Sequence, residues 1–296
     1  MSTEAQGRRY VEIDEWPTQV AVEAMWEGQM AAVAAVHSQV EVIAAASEAA
    51  ANRLRDGGRI VYIGAGTSGR IAVQDGVELG PTFSWPKERL LLILAGDARA
   101  MTESVEGAED NEQGARGQIA AAGLSAADVA IGVAASGSTR FTVAAIVAAR
   151  QRGALTIGVA NNPHSPLLGA ADHPILIETG SEAIAGSTRM KAGTAQKVVL
   201  NLLSTAVMLR LGLVYRGLMV NMHVSNAKLA ARARAIVQEL ANVSERQAED
   251  ALRQSDNNIP KAALLAAGCD LAQADHLFSI YRHDLRSALA KGLSRE

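Results

Sequence analysis

The chain has 296 residues, of which 49% are hydrophobic and 20% charged, so it is long enough to bury a large core. Its net charge of −3 provides no basic excess for a phosphate backbone, and 3% aromatic residues provide no stacking platform, so we expect no nucleic-acid partner. One cysteine and no signal-peptide pattern predict a cytoplasmic protein. Six histidines without a paired motif predict neither a metal site nor a cofactor. The most apolar run, residues 90–96, is too short to span a membrane, so we expect no membrane segment.

Residues 20–54 are rich in alanine, with apolar residues at helical spacing, which predicts one or two long helices. Five short apolar runs follow. We expect the first four to be parallel strands buried on both faces and the fifth to be a further strand. Helical segments between them, such as residues 139–152, complete a series of alternating strands and helices. The five runs are RIVYIG (59–64), LLLILAG (90–96), DVAIGVAAS (128–136), ALTIGVANN (154–162) and PILIETG (174–180).

The pattern changes after the last strand. A long helix is predicted from about residue 188 to 211, an amphipathic helix over 225–240, and three or four shorter helices beyond it, with a break at 257–260. We therefore predict an N-terminal helical segment (1–56), an α/β domain (57–225), and a linker helix with a small helical domain (226–296).

Three loops that follow strands could bind an anion, because ligands of parallel sheets bind at the carboxyl ends of the strands. They are GAGTSGR (64–70), SGSTR (136–140) and GSTRMKAGTAQK (186–197). Their glycines allow the backbone to approach closely, and their hydroxyl groups precede or open helices with positive N-termini. The first loop is neither a GxxxxGK[ST] phosphate loop nor a GxGxxG dinucleotide loop. Two such loops at one sheet edge favour a phosphate monoester as ligand.

An acidic cluster, SVEGAED (104–110), stands out in this apolar chain. If the segment is helical, Glu106 and Glu109 lie one turn apart on one face and repel each other. A solvated acidic surface is the ordinary interpretation of such a cluster.

Together, GAGTSGR, SVEGAED, AASGST and GSTRMKAGTAQK resemble the characteristic segments of the N-acetylmuramic acid 6-phosphate etherases, a family of the sugar isomerase (SIS) superfamily. The resemblance extends from about residue 57 to the C-terminus. It implies a SIS-type doubly wound parallel sheet flanked by helices, with N-terminal helices and a small, UBA-like C-terminal helical domain. It also implies a homodimer whose substrate is a small sugar phosphate.

The resemblance further implies an activity: a carbon–oxygen lyase that cleaves the D-lactyl ether and yields N-acetylglucosamine 6-phosphate and D-lactate in cell-wall recycling. The family's two functional glutamates correspond to Glu78 and Glu109. Glu182, just before the third loop, is expected either to contact the sugar or to be solvated. The other implied substrate and phosphate ligands are Gly66, Thr67, Ser68, Ser136, Ser138, Thr139 and Ser187.

Two segments depart from the family pattern. The family has DASECPPT where this chain has DGVELGPT around Glu78, and SGRTP where this chain has SGSTR, so an arginine lies two positions later, at Arg140.

The implied chemistry needs two carboxyl groups, a base at C2 and an acid for the departing oxygen. An ordinary glutamate is ionised at neutral pH, so one of the two must be held protonated by burial or by a negative neighbour.

Two other functions remain open, a sensor of the glucokinase regulatory protein type without turnover and an aldose–ketose sugar-phosphate isomerase. The first does not need both glutamates, and the acidic segment argues against the second. A SIS-type transcriptional regulator is excluded because the acidic N-terminal region carries no basic recognition helix.

Overall fold

The computed structural model describes residues 2–281 and 284–293 of the chain, which form two compact units. The first unit contains the residues up to Gly76 together with Glu88–Val207. The second unit combines Val77–Lys87 with the described residues from Met208 onward. The three-segment division made from the sequence stays a prediction, and its positions 1, 282–283 and 294–296 lie outside the described residues.

A five-stranded parallel sheet forms the centre of the first unit, in the order β2-β1-β3-β4-β5. This arrangement confirms the predicted doubly wound α/β fold. In such a sheet the strand order reverses between β1 and β3, so the crevice at their carboxyl ends is the expected ligand site. The strands are β1 Ile60–Gly64, β2 Leu90–Leu94, β3 Val129–Ala134, β4 Leu155–Ala160 and β5 His173–Leu176.

Helices begin and end close to the predicted positions. The two N-terminal helices are separated by a 3₁₀ turn over Val36–Gln39. The helices before and between the strands are α1 Thr18–Ala35, α2 Val40–Leu54, α3 Gly66–Phe83, α4 Glu112–Ala122, α5 Arg140–Gln151 and α6 Pro166–Ala170, and α7 Lys191–Arg210 follows β5.

Helices cover both faces of the sheet, as the alternation of side chains along β1 shows. Val61 and Ile63 belong to a core cluster that also contains Ile119 of α4 and Phe141 of α5. Tyr62 points the other way and bonds to Asp75 of α3. The prediction that the strands are buried on both faces is therefore confirmed for the centre of the sheet.

The prediction of full burial is wrong for the edge strand β2. Leu90, Leu91 and Leu92 are only partly covered, and Leu92 is 38% exposed. An edge strand has one neighbour instead of two, and a continuous apolar run does not indicate which strand lies at the edge.

The second unit is helical and has its own apolar core. The predicted break at 257–260 is confirmed, because one helix ends at Gln254 and the next begins at Ile259. Core residues include Ile236, Leu264 and Phe278. The helices that lie wholly in this unit are α8 Ala227–Ala241, α9 Glu245–Gln254, α10 Ile259–Ala266, α11 Leu271–Ile280 and α12 Leu285–Leu293.

By length and composition alone, two helical stretches could cross a membrane, Thr18–Leu54 and Lys191–Arg210. In their most apolar windows, 28% and 56% of the residues are buried inside the protein. A core helix of a soluble protein passes the same test, which fits the second stretch. The absence of a membrane segment stays a prediction.

Candidate active site

The loops after β1 and β3 lie side by side at the switch point of the sheet. Gly64 at the end of β1 pairs in register with Val133, one residue before the end of β3. The residues that follow, 65–70 and 135–140, therefore leave the same edge of the sheet next to each other. This is the crevice in which a doubly wound sheet binds its ligands.

The first loop is tight because two glycines touch. A Cβ on Gly64 would lie 2.7 Å from the Cα of Gly69, so neither position has space for a side chain without a shift. The close approach of the two glycines allows α3 to begin at Gly66, two residues after the end of β1. Thr67, half-buried, and Ser68, 7% exposed, lie in the first turn of α3, where backbone N–H groups lack helical partners.

Glu109 lies at the N-terminus of α3. Gly66 has φ +52°, and a Cβ there would lie 3.0 Å from Oε1 of Glu109. A carboxylate at a helix N-terminus is stabilised by the helix dipole. The structure thus brings together two residues that the sequence analysis named separately, Gly66 and Glu109.

The acidic segment is not the helix considered above. Gly107 has φ +70°, and only Ala108–Asp110 forms a short 3₁₀ turn. Glu106 and Glu109 therefore do not share a helix face, and both are exposed. The left-handed conformation of Gly107 is incompatible with an α-helix, so residues 104–110 do not form one.

Arg70 holds the chain that leads to the acidic segment. Its Nε donates to the carbonyl of Ala100 and its Nη2 to the carbonyl of Glu103, both at 2.8 Å. The guanidinium thereby ties α3 to residues 100–103, a few residues before Glu109. Arg70 thus positions the backbone of residues 100–103.

The second loop closes on itself after β3. The backbone N–H of Ser138 donates to Oγ of Ser136 at 3.1 Å, and Gly137 between them has φ +66°. Thr139 is the N-cap of α5 but makes no side-chain cap bond, and no acidic residue lies in the first turn. Arg140, the first residue of the helix, is exposed. The N-terminus of α5 therefore carries no carboxylate of its own.

Glu182, just before the third loop, is a buried carboxylate. Glu182 is 1% exposed, so the expectation of a solvated loop residue is wrong. The N–H of Lys191 donates to its Oε2 and the N–H of Ala192 to its Oε1, both at 2.9 Å. Glu182 thus neutralises the N-terminus of α7. Its contact with a sugar stays a prediction.

Lys191 is part of the same arrangement. Its Nζ donates to the carbonyl of Ser181 at 2.9 Å. Burial lowers the pKa of Lys191 from its ordinary value, and the negative charge of Glu182 opposes that change.

The third loop adjoins the first. A Cβ on Gly193, in the first turns of α7, would lie 3.7 Å from Cγ2 of Thr67 and 3.3 Å from the carbonyl oxygen of Thr188. Ser187, directly before Thr188, is half-buried. The first turns of α3 and α7 therefore lie next to each other at this point.

Glu78 belongs to the second compact unit, in the part of α3 that follows Gly76. Its side chain is exposed. The functional assignment of Glu78 rests on the family motif.

A buried polar network was missed by the sequence analysis. Tyr62 donates to Oδ2 of Asp75 at 2.5 Å, and the other carboxylate oxygen accepts from Asn201 at 2.6 Å and from Ser204 at 3.2 Å. Burial, followed by the charge of Asp75 and the hydrogen bond to it, raises the pKa of Tyr62 well above its ordinary value, so the phenol stays a donor. The available signal was a charged residue, Asp75, three positions after Ala72 and four before Leu79, on the face of α3 that these two buried residues define.

The fold and the loops define a class, the SIS-domain proteins. A family model described as the SIS domain matches residues 111–206, and one described as the glucokinase regulatory protein N-terminal SIS domain matches residues 41–150. A third, described as the C-terminal lid domain of glucokinase regulatory protein, matches residues 216–259.

Curated relatives narrow this class. An N-acetylmuramic acid 6-phosphate etherase of Deinococcus radiodurans is 46% identical over 86% of this chain and 84% of its own length. Those of Streptomyces avermitilis and Salmonella typhimurium are 44% and 39% identical, covering 98% and 97% of this chain and 94% and 97% of theirs. The chain belongs to the N-acetylmuramic acid 6-phosphate etherase family.

Among solved structures, a phosphoheptose isomerase from Francisella tularensis is 16% identical, with a TM-score of 0.47 over 65% of this chain and 98% of that chain.

Proposed function

We propose that this protein is an N-acetylmuramic acid 6-phosphate etherase, a carbon–oxygen lyase acting on a small sugar phosphate. The observation that carries the proposal is the family membership, at 39–46% identity over most of the chain. The position of Glu109 at the N-terminus of α3, beside the switch point of the sheet, supports it.

The reaction has two stages. In the open-chain sugar the C1 aldehyde acidifies the C2 proton, and a base removes it. The electron pair then forms the C2–C3 double bond, the C3–O bond breaks, and an acid protonates the departing lactate oxygen. Water adds across the double bond, with hydroxyl at C3 and hydrogen at C2. The products are N-acetylglucosamine 6-phosphate and D-lactate.

The phosphate is assigned to the second loop at the N-terminus of α5, with the hydroxyl groups of the first loop beside it, because Glu109 already lies at the N-terminus of α3. Glu182 already accepts from the first two N–H groups of α7, so a second anion there would be repelled. The N-terminus of α5 has no acidic neighbour in its first turn and offers hydroxyl groups and Arg140. The proposed ligands are Ser68, Ser136, Ser138 and Thr139, with Gly66, Thr67 and Ser187 lining the same region.

Glu109 is proposed as the base at C2 and Glu78 as the acid for the leaving oxygen. The family motifs support both residues, and the location of Glu109 at the first loop supports its nearness to the sugar. Glu182, which is buried and accepts one N–H at each carboxylate oxygen, holds the N-terminus of α7, and its contact with the sugar stays a prediction.

The activity is tested by release of D-lactate from N-acetylmuramic acid 6-phosphate, coupled to D-lactate dehydrogenase. Glu78→Gln and Glu109→Gln should each lower kcat by about 10²- to 10⁴-fold, the usual contribution of a general acid or base. The control is Glu106→Gln, an exposed carboxylate in the same segment, which should stay within about twofold of wild type. Wild-type-like release by either catalytic variant would refute its role.

Solvent-deuterium exchange at C2 separates acid from base. Glu78→Gln should still exchange the C2 proton while lactate release is lost, because only C3–O cleavage needs the acid. Glu109→Gln should lose exchange as well. The opposite pattern would reverse the two assignments.

A sensor without turnover is the second candidate, because two of the matching family models bear the name of glucokinase regulatory protein. The assay distinguishes the two. A folded wild type that binds N-acetylglucosamine 6-phosphate but releases no lactate would favour the sensor.

We also infer a cytoplasmic homodimer with neither a membrane segment nor a nucleic-acid partner. The dimer is supported by one face of α1, on which four apolar side chains, spaced four, four and three residues apart, are at least 41% exposed. We call this set the α1 apolar face; it consists of Val22, Trp26, Met30 and Val33. Cys269 is a free, buried thiol, which agrees with a reducing compartment.

A further inference from the structure

The first residues of the chain lie against the loops of the candidate site. Residues 2–16, here called the N-terminal arm, form three short 3₁₀ turns before α1 begins. Thr3 is fully buried, with 0% of its surface exposed. Buried polar groups in folded proteins are nearly always hydrogen-bonded. The partners of Thr3 are Asn162, which also bonds the base of the second loop, and Gly186 of the third loop.

Asn162 connects Thr3 to the second loop. It follows β4 and is 2% exposed. Its Nδ2 donates to Oγ1 of Thr3 at 2.8 Å and to the carbonyl of Ala135 at 2.9 Å, and Ala135 directly precedes Ser136. The N–H of Thr3 points back to Oδ1 of Asn162 at 3.4 Å. One amide side chain therefore bonds both the arm and the base of the second loop.

Thr3 also reaches the third loop. Its carbonyl accepts from the N–H of Gly186 at 3.1 Å, directly before Ser187. Further along the arm, a Cβ on Gly7 would lie 2.6 Å from Oγ of Ser181, and Tyr10 is buried together with Ala183. The arm thus contacts residues 181–187 at several points.

We propose that Thr3 and Asn162 are positioning residues that hold the second and third loops at a fixed separation, so that the N-terminal arm is part of the substrate site. As a statement about the substrate site, this rests on the proposed function. The polar groups of Ser136 and Ser187 belong to different loops, and the chain from Ala135 through Asn162 and Thr3 to Gly186 links them. Loops that are already ordered lose less entropy when a ligand binds, so the link strengthens binding.

The test replaces the Thr3 hydroxyl. Thr3→Val keeps the shape but removes the acceptor, whereas Thr3→Ser retains it. With loss of one ordinary buried hydrogen bond, Thr3→Val should raise KM for N-acetylmuramic acid 6-phosphate about three- to tenfold, with kcat within about twofold. Thr3→Ser should restore KM. The matched control is Thr18→Val, an exposed threonine at the start of α1, which should leave KM unchanged.

A purely structural role would lower the melting temperature without separating KM from kcat. An unchanged KM in Thr3→Val, or an equal rise in Thr3→Ser, would overturn the proposal.

Hydrogen exchange supplies a readout that needs no substrate. Thr3→Val should accelerate amide exchange in residues 181–187 relative to wild type and to Thr18→Val. If wild type released no lactate, the proposed function would fail, and faster exchange would still support the link between arm and loop. Unchanged exchange in residues 181–187 would overturn the positioning role whatever the activity.

Discussion

Gly66 is the residue at which backbone conformation and the proposed base meet. It has φ +52°, and a Cβ would lie 3.0 Å from Oε1 of Glu109. Gly66→Ala should therefore displace the carboxylate and strain the backbone. Because small displacements of catalytic groups are costly, we expect kcat/KM for lactate release to fall about 10- to 100-fold.

The control for this substitution is Gly80→Ala in the same helix. No atom lies within 4 Å of a Cβ built there, and its φ is not positive. Alanine should stabilise the helix slightly, by about 0.5–1 kcal/mol, with activity unchanged. Equal activity of the two variants would show that Glu109 does not depend on the space at Gly66.

Asp128 gives a prediction about pH. Its carboxylate is 3% exposed and pairs with Arg59 at 2.8 Å. Burial acts to raise the pKa of Asp128, but hydrogen bonds from Arg59 and from the N–H groups of Ser125 and Arg59, with the guanidinium charge, lower it below its ordinary value. A lowered native pKa means that this stabilisation is complete above the unfolded-state pKa of about 4 and is lost as pH falls through the native value.

Asp128→Asn should accordingly lower the urea midpoint at pH 7 and lower it much less at pH 3. Removal of a charge-assisted, buried pair should cost about 2 kcal/mol at neutral pH. Asp14→Asn, an exposed carboxylate, serves as the control at both pH values. An equal loss of stability by Asp128→Asn at pH 7 and pH 3 would contradict the assigned pKa direction.

At the scale of elements, Asp75 joins a strand to two helices. Its carboxylate, on α3, accepts from Tyr62 on β1 and from Asn201 and Ser204 on α7. Asp75→Ala would remove the shared acceptor of two buried donors, Tyr62 and Ser204, and of the exposed residue Asn201. Because unsatisfied buried groups bear their full desolvation penalty, we expect a loss of about 3 kcal/mol of stability in urea unfolding.

Tyr62→Phe removes one hydrogen bond of this network, the one from the Tyr62 hydroxyl to Asp75. It removes a single donor while Asp75 keeps two others, so the loss should be about 1 kcal/mol. Asp14→Ala, exposed in the N-terminal arm, should change stability by less than about 0.5 kcal/mol. If Asp75→Ala were as mild as Asp14→Ala, the network would not hold these elements together.

At the scale of the whole molecule, the α1 apolar face predicts the oligomeric state. Trp26 is 61% exposed and lies within this face. Trp26→Glu places a charge in the proposed contact between copies, where its burial would be costly. We expect sedimentation to show a dimer for wild type and a monomer for the variant at micromolar concentration.

Ile280→Glu is the matched substitution on another surface. Ile280 is also an exposed apolar residue, at 56%, but it lies on α11 in the second unit. This variant should sediment like wild type. A monomeric wild type would contradict the homodimer, and a dimeric Trp26→Glu would place the contact elsewhere.

The strands were predictable because local composition and burial agree along them. β1, β3 and β4 are continuous apolar runs and are buried along their whole length. The same pattern misled for β2, since edge position is a property of strand order and not of the strand itself.

The loops of the site were predictable for a different reason. Glycines, hydroxyl residues and helix starts are local signals, and α3, α5 and α7 begin within or directly after the three segments named from sequence. The environments of Glu182 and of the acidic segment were not predictable. The first is decided by two amides of α7, nine and ten residues away in sequence, and the second by a left-handed glycine, Gly107.

The sequence by itself determined the fold class, the five strands, the glycine- and hydroxyl-rich loops after the strands, and the family, because these depend on patterns contained in short segments. Tertiary structure alone decided three things: that Glu109 lies over Gly66, that Glu182 is the buried counter-charge of α7, and that Thr3 bonds to Asn162. Each joins residues at least nine positions apart, up to 159. Such contacts form only where packing excludes water, and no local pattern in the chain records which partner will be there.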